Sequence, residues 1–176
     1  MKEQIDVLIT KEQVEQRISE LAQQISKDYE GKELYTIGIL KGSVIFMSEL
    51  VKKITVPLTM NFMKASSYGD STVTSGNLKI SLDLEESIEG KEVLIIEDII
   101  DTGTTLTRLK NNLKDRKAAS VKICTLLDKP DRRTMPVSGD YTGFKVPDQF
   151  VVGYGLDYAQ RYRNLDFIGV LSFIEE

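Results

Sequence analysis

The sequence contains no histidine and only one cysteine among its 176 residues. Without histidine the chain cannot form a Ser-His-Asp or Cys-His catalytic centre, nor an ordinary zinc site. Cys124 cannot form an internal disulfide, and its apolar surroundings predict a buried, unreactive thiol. Acid–base chemistry must therefore come from Asp, Glu, Lys or Tyr, and any metal must be a hard, oxygen-bound cation such as Mg²⁺.

Long apolar runs and an excess of positive charge are also missing. No run approaches the roughly 20 residues of a membrane span, and the first six residues carry acids without an apolar signal core. The formal net charge of -4 argues against a general nucleic-acid binder, which needs a basic surface. We therefore expect a cytoplasmic protein with no membrane or nucleic-acid partner.

The apolar residues alternate between strand-like and helix-like spacing along the chain. A capping box at Thr10–Gln13 opens a helix that ends near Gly31, and a second helix begins at Val44. Strands are predicted at 34–39, 54–62, 78–84, 93–96, 121–127, 150–152 and 167–173. This succession predicts an α/β fold with a mainly parallel, twisted sheet flanked by helices. With no repeat or linker, residues 1–176 are predicted to form a single domain.

Three features limit the regular structure in this scheme. Pro57 lies in the 54–62 strand and favours a place at the sheet edge. The charged residues of 131–133 are predicted to be solvated loop charge. Residues 136–147 contain two prolines and two glycines and are predicted to have little regular structure.

The most informative stretch runs from Val93 to Leu106. A buried strand is followed by the acidic pair Glu97 and Asp98, and then by the segment 101–105, which contains Asp101, Gly103 and three threonines. In open α/β sheets, ligands bind where strands end. Backbone N–H groups and hydroxyls in such a loop can bind a phosphate at a helix start. The acidic pair can hold ribose hydroxyls or a metal.

Two further segments are candidates for the same site. Lys41 and Gly42 lie between a predicted strand and a predicted helix, where a cation and a backbone turn suit pyrophosphate. Residues 65–77 are polar and too long for a simple turn. From the residues alone they are either a surface loop or a lid that excludes water from a reaction.

The pattern of four hydrophobic residues, two acids, two hydrophobic residues and Asp-Thr-Gly-x-Thr resembles the 5-phosphoribosyl-1-pyrophosphate (PRPP) motif of type I phosphoribosyltransferases. Matches from Leu40 to Arg163 are similar to the bacterial 6-oxopurine branch. The resemblance implies the type I fold with a small hood formed by the terminal segments, and a homodimer or homotetramer. It also implies Mg²⁺-dependent purine salvage, in which phosphoribose passes from PRPP to hypoxanthine or guanine, giving IMP or GMP and pyrophosphate.

The resemblance also implies roles for residues around the central stretch. Glu97 and Asp98 are expected to bind the ribose hydroxyls and a Mg²⁺ ion, and Asp101 to act as general base at the purine N7. The 5′-phosphate is expected to bind at Asp101, Thr102, Gly103, Thr104 and Thr105. Thr104 stands where some relatives carry Lys, which leaves that phosphate bound more by neutral donors.

The remaining roles concern the base, the pyrophosphate and the lid. Lys129 is expected to contact the purine O6, Phe150 to stack on the ring, and Val151 to contact its edge through the backbone. The residues alone leave open whether Lys129 is instead a solvated strand-end lysine. Asp157 is expected beside the purine and pyrophosphate with a second Mg²⁺. Lys41, Gly42 and Arg163 are expected to bind pyrophosphate. Family members hold the peptide before this lysine in the cis form, and the sequence leaves open whether Leu40–Lys41 is cis. Ser67 and Tyr68 are expected to belong to the lid.

Two other functions remain open from the sequence. One is a phosphoribosyltransferase that prefers xanthine. The other is a PRPP-sensing regulator that keeps the fold and binds RNA or DNA, although the net charge of -4 disfavours it.

Overall fold

The computed structural model describes residues 2–67 and 78–174. Its elements, in chain order, are β1 (Lys2–Ile9), α1 (Lys11–Asp28), β2 (Leu34–Ile39), α2 (Val44–Val51), β3 (Leu58–Ser67), β4 (Leu78–Leu82), β5 (Glu92–Ile100), α3 (Thr104–Asp115), β6 (Ser120–Asp128), β7 (Tyr141–Lys145), β8 (Val151–Val152) and β9 (Ile168–Ile174), with a 3-10 turn at Pro130–Arg132. No helix of these residues is long and apolar enough to cross a membrane.

The main sheet has six strands in the order β4-β3-β2-β5-β6-β7. Its strands are parallel except for β4, which runs antiparallel to β3. Every residue of β2 is buried, as expected for a central parallel strand that is covered on both faces. The predicted mainly parallel α/β sheet is confirmed.

Helices cover both faces of this sheet. The capping box at Thr10 and Gln13 starts α1, whose apolar stripe joins α2 in one buried cluster with Leu94 and Ile96 of β5. Leu109 and the other apolar residues of α3 lie in the second buried cluster, on the opposite face. Successive side chains of β5 therefore point into the two buried clusters in turn. This explains why the first part of the strand is an unbroken run of apolar residues.

The two ends of the described chain form a small antiparallel sheet in the order β1-β9-β8. Ile5 is paired with Leu171, and Val151 with Val170. Because Ile9, Val151 and Ile168 lie in the same buried cluster as α1 and α2, this sheet is anchored on the main one. It is the hood expected from the terminal segments.

Other predictions need correction. The prediction that Pro57 places its strand at the sheet edge is wrong, since β3 lies between β2 and β4. Pro57 precedes the strand, and its carbonyl accepts a hydrogen bond of 2.9 Å from the Leu34 amide. The lack of regular structure predicted for residues 136–147 is also wrong, because Tyr141–Lys145 forms β7. The buried state of Cys124 is confirmed, and burial raises the pKa of its thiol.

Candidate active site

The candidate site lies where the parallel strands end. Ile39 of β2 is level with Met63 of β3, and Ile100 of β5 is level with Asp128 of β6. Parallel strands that end in register bring their following loops to one edge of the sheet. The segments that begin at Leu40, Asp101 and Lys129 therefore meet at this edge.

The acidic pair lies inside β5 rather than after it, because the strand extends to Ile100. The Asp98 amide donates to a Glu97 carboxylate oxygen at 3.2 Å, and the Ile99 amide donates to Asp98 at 2.7 Å. Burial and repulsion from Asp98 raise the pKa of Glu97 well above its usual range, and burial also raises the pKa of Asp98. Two desolvated carboxylates side by side suit a cation or sugar hydroxyls.

The phosphate loop, residues 101–105, turns sharply into α3. Gly103 has a φ of 82°, which glycine adopts without strain, and α3 begins at Thr104. The first N–H groups of a helix have no partner within it and form an anion site. The loop and Glu97 line one cavity of about 170 Å³, which is suited to a phosphate and the adjoining sugar.

Ser67, at the end of β3, joins this loop. Its hydroxyl oxygen lies 2.7 Å from that of Thr105 in a hydrogen bond. The structure therefore brings one of the two predicted lid residues to the phosphate loop. Tyr68, the other, lies outside the described residues, as does the rest of 68–77.

Asp101 is held by two arginines from the segment after β6. Arg132 Nε donates to the Asp101 carboxylate at 3.0 Å, and Arg133 Nε donates to the Asp101 backbone carbonyl at 3.1 Å. The Asp101 side chain remains 45% exposed. Its carboxylate can therefore be reached by an incoming molecule, whereas its backbone is fixed.

The residues predicted to bind pyrophosphate form a second cluster of charged side chains. Arg163 donates to the Gly155 carbonyl at 2.6 Å and forms an ion pair of 2.8 Å with Asp157. Gln160 accepts hydrogen bonds from Lys41 at 3.2 Å and from Arg163 at 3.4 Å. The amide oxygen of Gln160 thereby brings the two predicted pyrophosphate cations together.

Gly42 joins this second cluster to the acidic pair. The Leu40–Lys41 peptide before it is cis. A Cβ atom on Gly42 would lie 1.7 Å from Asp98 Oδ2, and one on Gly155 would lie 1.9 Å from the Gly42 carbonyl oxygen. Only glycine allows the two loops and the carboxylate to approach this closely.

Lys129, the residue predicted to contact the purine O6, directly follows β6. It is 9% exposed, and its Nζ donates to the Gln149 carbonyl at 2.6 Å. The solvated alternative for Lys129 is therefore wrong, because the backbone of the segment before β8 encloses the ammonium group. A buried donor-only group beside a cleft suits a carbonyl acceptor of a ligand.

Phe150 and Val151 occupy contrasting positions beside Lys129. Phe150 is 52% exposed and makes an edge-to-face contact with Tyr158, with ring centroids 5.7 Å apart. Val151 is buried in β8. An exposed, supported aromatic ring is suited to stacking on a planar ligand.

The acidic residues predicted to hold Mg²⁺ lie in two places. Over residues 2–67 and 78–174, no three acidic side chains come close enough to form a metal cage. Glu97 and Asp98 are adjacent in β5, whereas Asp157 is paired with Arg163. This donor set fits Mg²⁺, which commonly binds one or two carboxylates and completes its shell with substrate phosphates and water.

Sequence reasoning missed three residues of the site. Arg132 and Arg133 were predicted to be solvated loop charge, but they contact Asp101. Gln160 was assigned no role, although it links Lys41 to Arg163. Neighbouring arginines in a loop carry no periodic signal, so the sequence alone cannot separate the exposed one from the buried one.

Comparison with known proteins places this geometry in a family. Residues 6–159 match the family model described as "Phosphoribosyl transferase domain". The chain is 53% identical over 166 residues to the bifunctional protein TilS/HprT of Listeria innocua, covering 94% of this chain but only 26% of that relative. It is 52% identical to the hypoxanthine-guanine phosphoribosyltransferase of Bacillus subtilis, covering 98% and 96% of the two chains.

A solved structure agrees with this comparison. The crystal structure of a hypoxanthine phosphoribosyltransferase from Staphylococcus aureus superposes with a TM-score of 0.90 at 51% identity. The match covers 95% of this chain and 91% of that one. The resemblance thus extends over nearly the whole chain.

Proposed function

This chain belongs to the phosphoribosyl transferase family, and on that premise we propose that it transfers 5-phosphoribose from PRPP to hypoxanthine and guanine, giving IMP or GMP and pyrophosphate. The observation that carries the proposal is the cavity lined by Glu97 and residues 101–105. This cavity lies at the same sheet edge as Lys129 and Lys41. The proposed sites for a phosphate, a sugar, a base and a leaving group therefore lie along one edge of the sheet.

The transfer forms a bond between a purine ring nitrogen and C1′ while the bond from C1′ to the pyrophosphate oxygen breaks. The first N–H groups of α3 and the hydroxyls of Thr104 and Thr105 hold the 5′-phosphate, and Glu97 and Asp98 hold the ribose hydroxyls. Charge develops on the departing pyrophosphate, and Lys41 and Arg163 neutralise it.

Asp101 is the proposed general base. Its carboxylate is accessible, and it accepts or shares the proton at the purine N7 while the new bond forms. The carboxylate accepts a hydrogen bond of 3.0 Å from Arg132. The purine must therefore share or replace this contact when it binds.

Mg²⁺ is the proposed cofactor. It would be held by Glu97 and Asp98 on the ribose side and by Asp157 on the pyrophosphate side. When bound, it supplies positive charge that stabilises the leaving pyrophosphate. The raised pKa of Glu97 supports the first position, because a cation relieves the repulsion between the two carboxylates.

Lys129 is the proposed source of base selectivity. An ammonium group only donates hydrogen bonds, so it suits the O6 acceptor of hypoxanthine and guanine and opposes the amino group of adenine. Its burial, at 9% exposure, increases the cost of a mismatch. A site that leaves such a group unpaired can reject a substrate by several powers of ten.

The experiment is steady-state turnover with PRPP and Mg²⁺ on hypoxanthine, guanine, xanthine, adenine, uracil and orotate. We expect rapid turnover of hypoxanthine and guanine and slow or no turnover of adenine. Faster turnover of xanthine than of either would establish the xanthine-preferring alternative. PRPP binding without turnover of any base would overturn the proposal, and an RNA or DNA shift assay would then test the regulator.

We also propose a single domain over residues 1–176 that assembles as a homodimer or homotetramer in the cytoplasm. The shared buried cluster of the two sheets supports the single domain. Sedimentation equilibrium measures the assembly, and a monomer at micromolar concentration would contradict it.

A further inference from the structure

Arg133 is almost enclosed although it follows a surface turn. Its side chain is 16% exposed and makes an ion pair with Asp128, which lies at the end of β6. The guanidinium also donates to the Val137 carbonyl and, at 3.1 Å, to the Asp101 carbonyl. Three partners from three segments thus converge on one planar group that has five N–H donors in a fixed arrangement.

The next carbonyl of the phosphate loop is held from the same side. The Thr102 carbonyl accepts hydrogen bonds from the Thr134 amide at 3.0 Å and the Met135 amide at 3.3 Å. Segment 133–135 therefore binds two successive carbonyls of the loop, those of Asp101 and Thr102.

Peptide geometry converts this contact into an orientation of the loop amides. In a trans peptide the carbonyl of one residue and the N–H of the next point in opposite directions. With the Asp101 and Thr102 carbonyls held towards segment 133–135, the N–H groups of Thr102 and Gly103 are turned away from it, towards the opposite side of the loop. These two N–H groups thereby add to those at the start of α3.

Close packing behind the loop keeps the peptides from rotating. A Cβ atom on Gly103 would lie 2.4 Å from a Val137 methyl carbon and 3.1 Å from Arg133 Cδ. The loop therefore lies directly against this segment, and the guanidinium supplies the polar contact that an apolar wall could not.

We propose that Arg133 is a positioning residue for the 5′-phosphate: it holds the Asp101 carbonyl so that the Thr102 N–H is available to the phosphate. The proposal rests on the proposed function for the identity of the ligand. Arg133 does not touch the substrate in this scheme and acts through the backbone alone. Lysine keeps the charge but has one nitrogen, which cannot reach all three partners.

The test compares Arg133→Lys and Arg133→Met with the wild-type protein by calorimetric titration of IMP and of inosine, which lacks the 5′-phosphate. Loss of a buried, charge-assisted contact predicts that IMP binds about tenfold or more weakly, while the inosine affinity stays within about twofold of wild type. The proposal would be overturned if the affinities for IMP and inosine fell equally, or if neither affinity fell.

Arg116→Met is the matched control. Arg116 forms an ion pair with Asp83 at 2.7 Å, at the far end of α3. Its loss removes an arginine–carboxylate pair without touching the phosphate loop, so the IMP affinity should stay at the wild-type level. A loss of IMP affinity in this variant equal to that in the Arg133 variants would overturn the proposal.

Folding and function are separated by two further measurements. Circular dichroism establishes whether each variant folds, and loss of the fold in both Arg133→Lys and Arg133→Met would show a purely structural role and overturn the proposal. If wild-type protein binds PRPP but not IMP, the base assignment fails and PRPP replaces IMP in the comparison. A selective loss of PRPP affinity in the variants would then still support the role of Arg133.

Discussion

The two proposed anion sites are built in different ways. The phosphate loop offers N–H groups and threonine hydroxyls, and Arg133 behind it contacts Asp128 and the loop backbone rather than lining the cavity. The pyrophosphate side presents Lys41 and Arg163, joined through Gln160. Under the proposed function, the neutral site holds the phosphate that remains on the product, whereas the cationic site holds the group that leaves.

This difference has a physical basis. Neutral donors bind a phosphate that carries the same charge before and after transfer, and they need only fixed geometry. Cations stabilise charge that increases during transfer, so they act most strongly where the pyrophosphate departs. Changes on the two sides of the cleft should therefore affect different kinetic constants.

The largest effect should come from Gly42→Ala, which breaks the junction between the two sites. A Cβ atom would lie 1.7 Å from the Asp98 carboxylate, so the loop or the acidic pair must move. We expect kcat/KM for PRPP to fall by about 100-fold or more, because small displacements of reacting groups cause losses of this size. Gly31→Asn, at an open position with a φ of 75° that Asn tolerates, is the control. Activity near wild type in Gly42→Ala would show that the junction is not needed.

Arg163→Gln should have the next largest effect, confined to the cationic site. It removes the ion pair with Asp157 and one of the two cations at Gln160. Loss of a charge-assisted contact predicts a fall in kcat/KM of about 10- to 100-fold, with the affinity for IMP nearly unchanged. Arg116→Gln, which loses an ion pair with Asp83 away from this site, is the control. An equal loss of IMP affinity in Arg163→Gln would mean that the two sites are not separate.

Thr105→Val should have a smaller effect, centred on the neutral site. The change removes one hydroxyl donor and the contact with Ser67. We expect PRPP and IMP both to bind about 3- to 10-fold more weakly, as for loss of a neutral hydrogen bond. Thr107→Val, two residues later on α3, is the control because its hydroxyl has no partner among the described residues. Weakened binding of pyrophosphate alone would contradict this assignment.

The smallest effect concerns stability rather than turnover. Because the folded state raises the pKa of Glu97, its ionisation destabilises the fold once the pH exceeds the unfolded value. Glu97→Gln should therefore raise the free energy of unfolding at pH 8 by about 1 kcal/mol or more, since one pKa unit corresponds to about 1.4 kcal/mol. The gain should disappear towards pH 4, where Glu97 is protonated in both states.

Glu92→Gln is the control of opposite sign for this prediction. Hydrogen bonds from Ser120 and Lys32 lower the pKa of Glu92, so its ionised form stabilises the fold. Its replacement should reduce stability at pH 8 rather than increase it. Urea unfolding at the two pH values measures the free energy of unfolding of both variants. A lower value for Glu97→Gln than for the wild type at pH 8 would contradict the claim that ionised Glu97 destabilises the fold.

The sequence predicts the strand, the turn and the helix start around the phosphate loop well because their signal is local. The apolar run of β5, the acids and the turn at Gly103 are adjacent in the chain, and each residue type has a direct structural meaning. The capping box of α1 was confirmed for the same reason. Local patterns of this kind survive in the fold when tertiary contacts reinforce them.

The parts that the sequence missed depend on distant contacts. Strand β1 pairs with β9, from the other end of the chain. Strand β7 contains Gly143, and glycine is unfavourable in a strand. In the structure a Cβ atom on Gly143 would lie 2.3 Å from the Leu126 carbonyl oxygen, so the close approach of the two backbones requires glycine. Arg133 differs from Arg132 only through the partners that the fold brings to it.

The most direct measurement is a crystal structure with PRPP, Mg²⁺ and an unreactive purine analogue. We expect the 5′-phosphate to lie within hydrogen-bond distance of the N–H groups of residues 102–105, and the pyrophosphate to contact Lys41 and Arg163. The analogue should lie between Lys129 and Asp101. A pyrophosphate bound in the loop of residues 101–105, or a base bound away from Lys129, would contradict the assignment of the two sites.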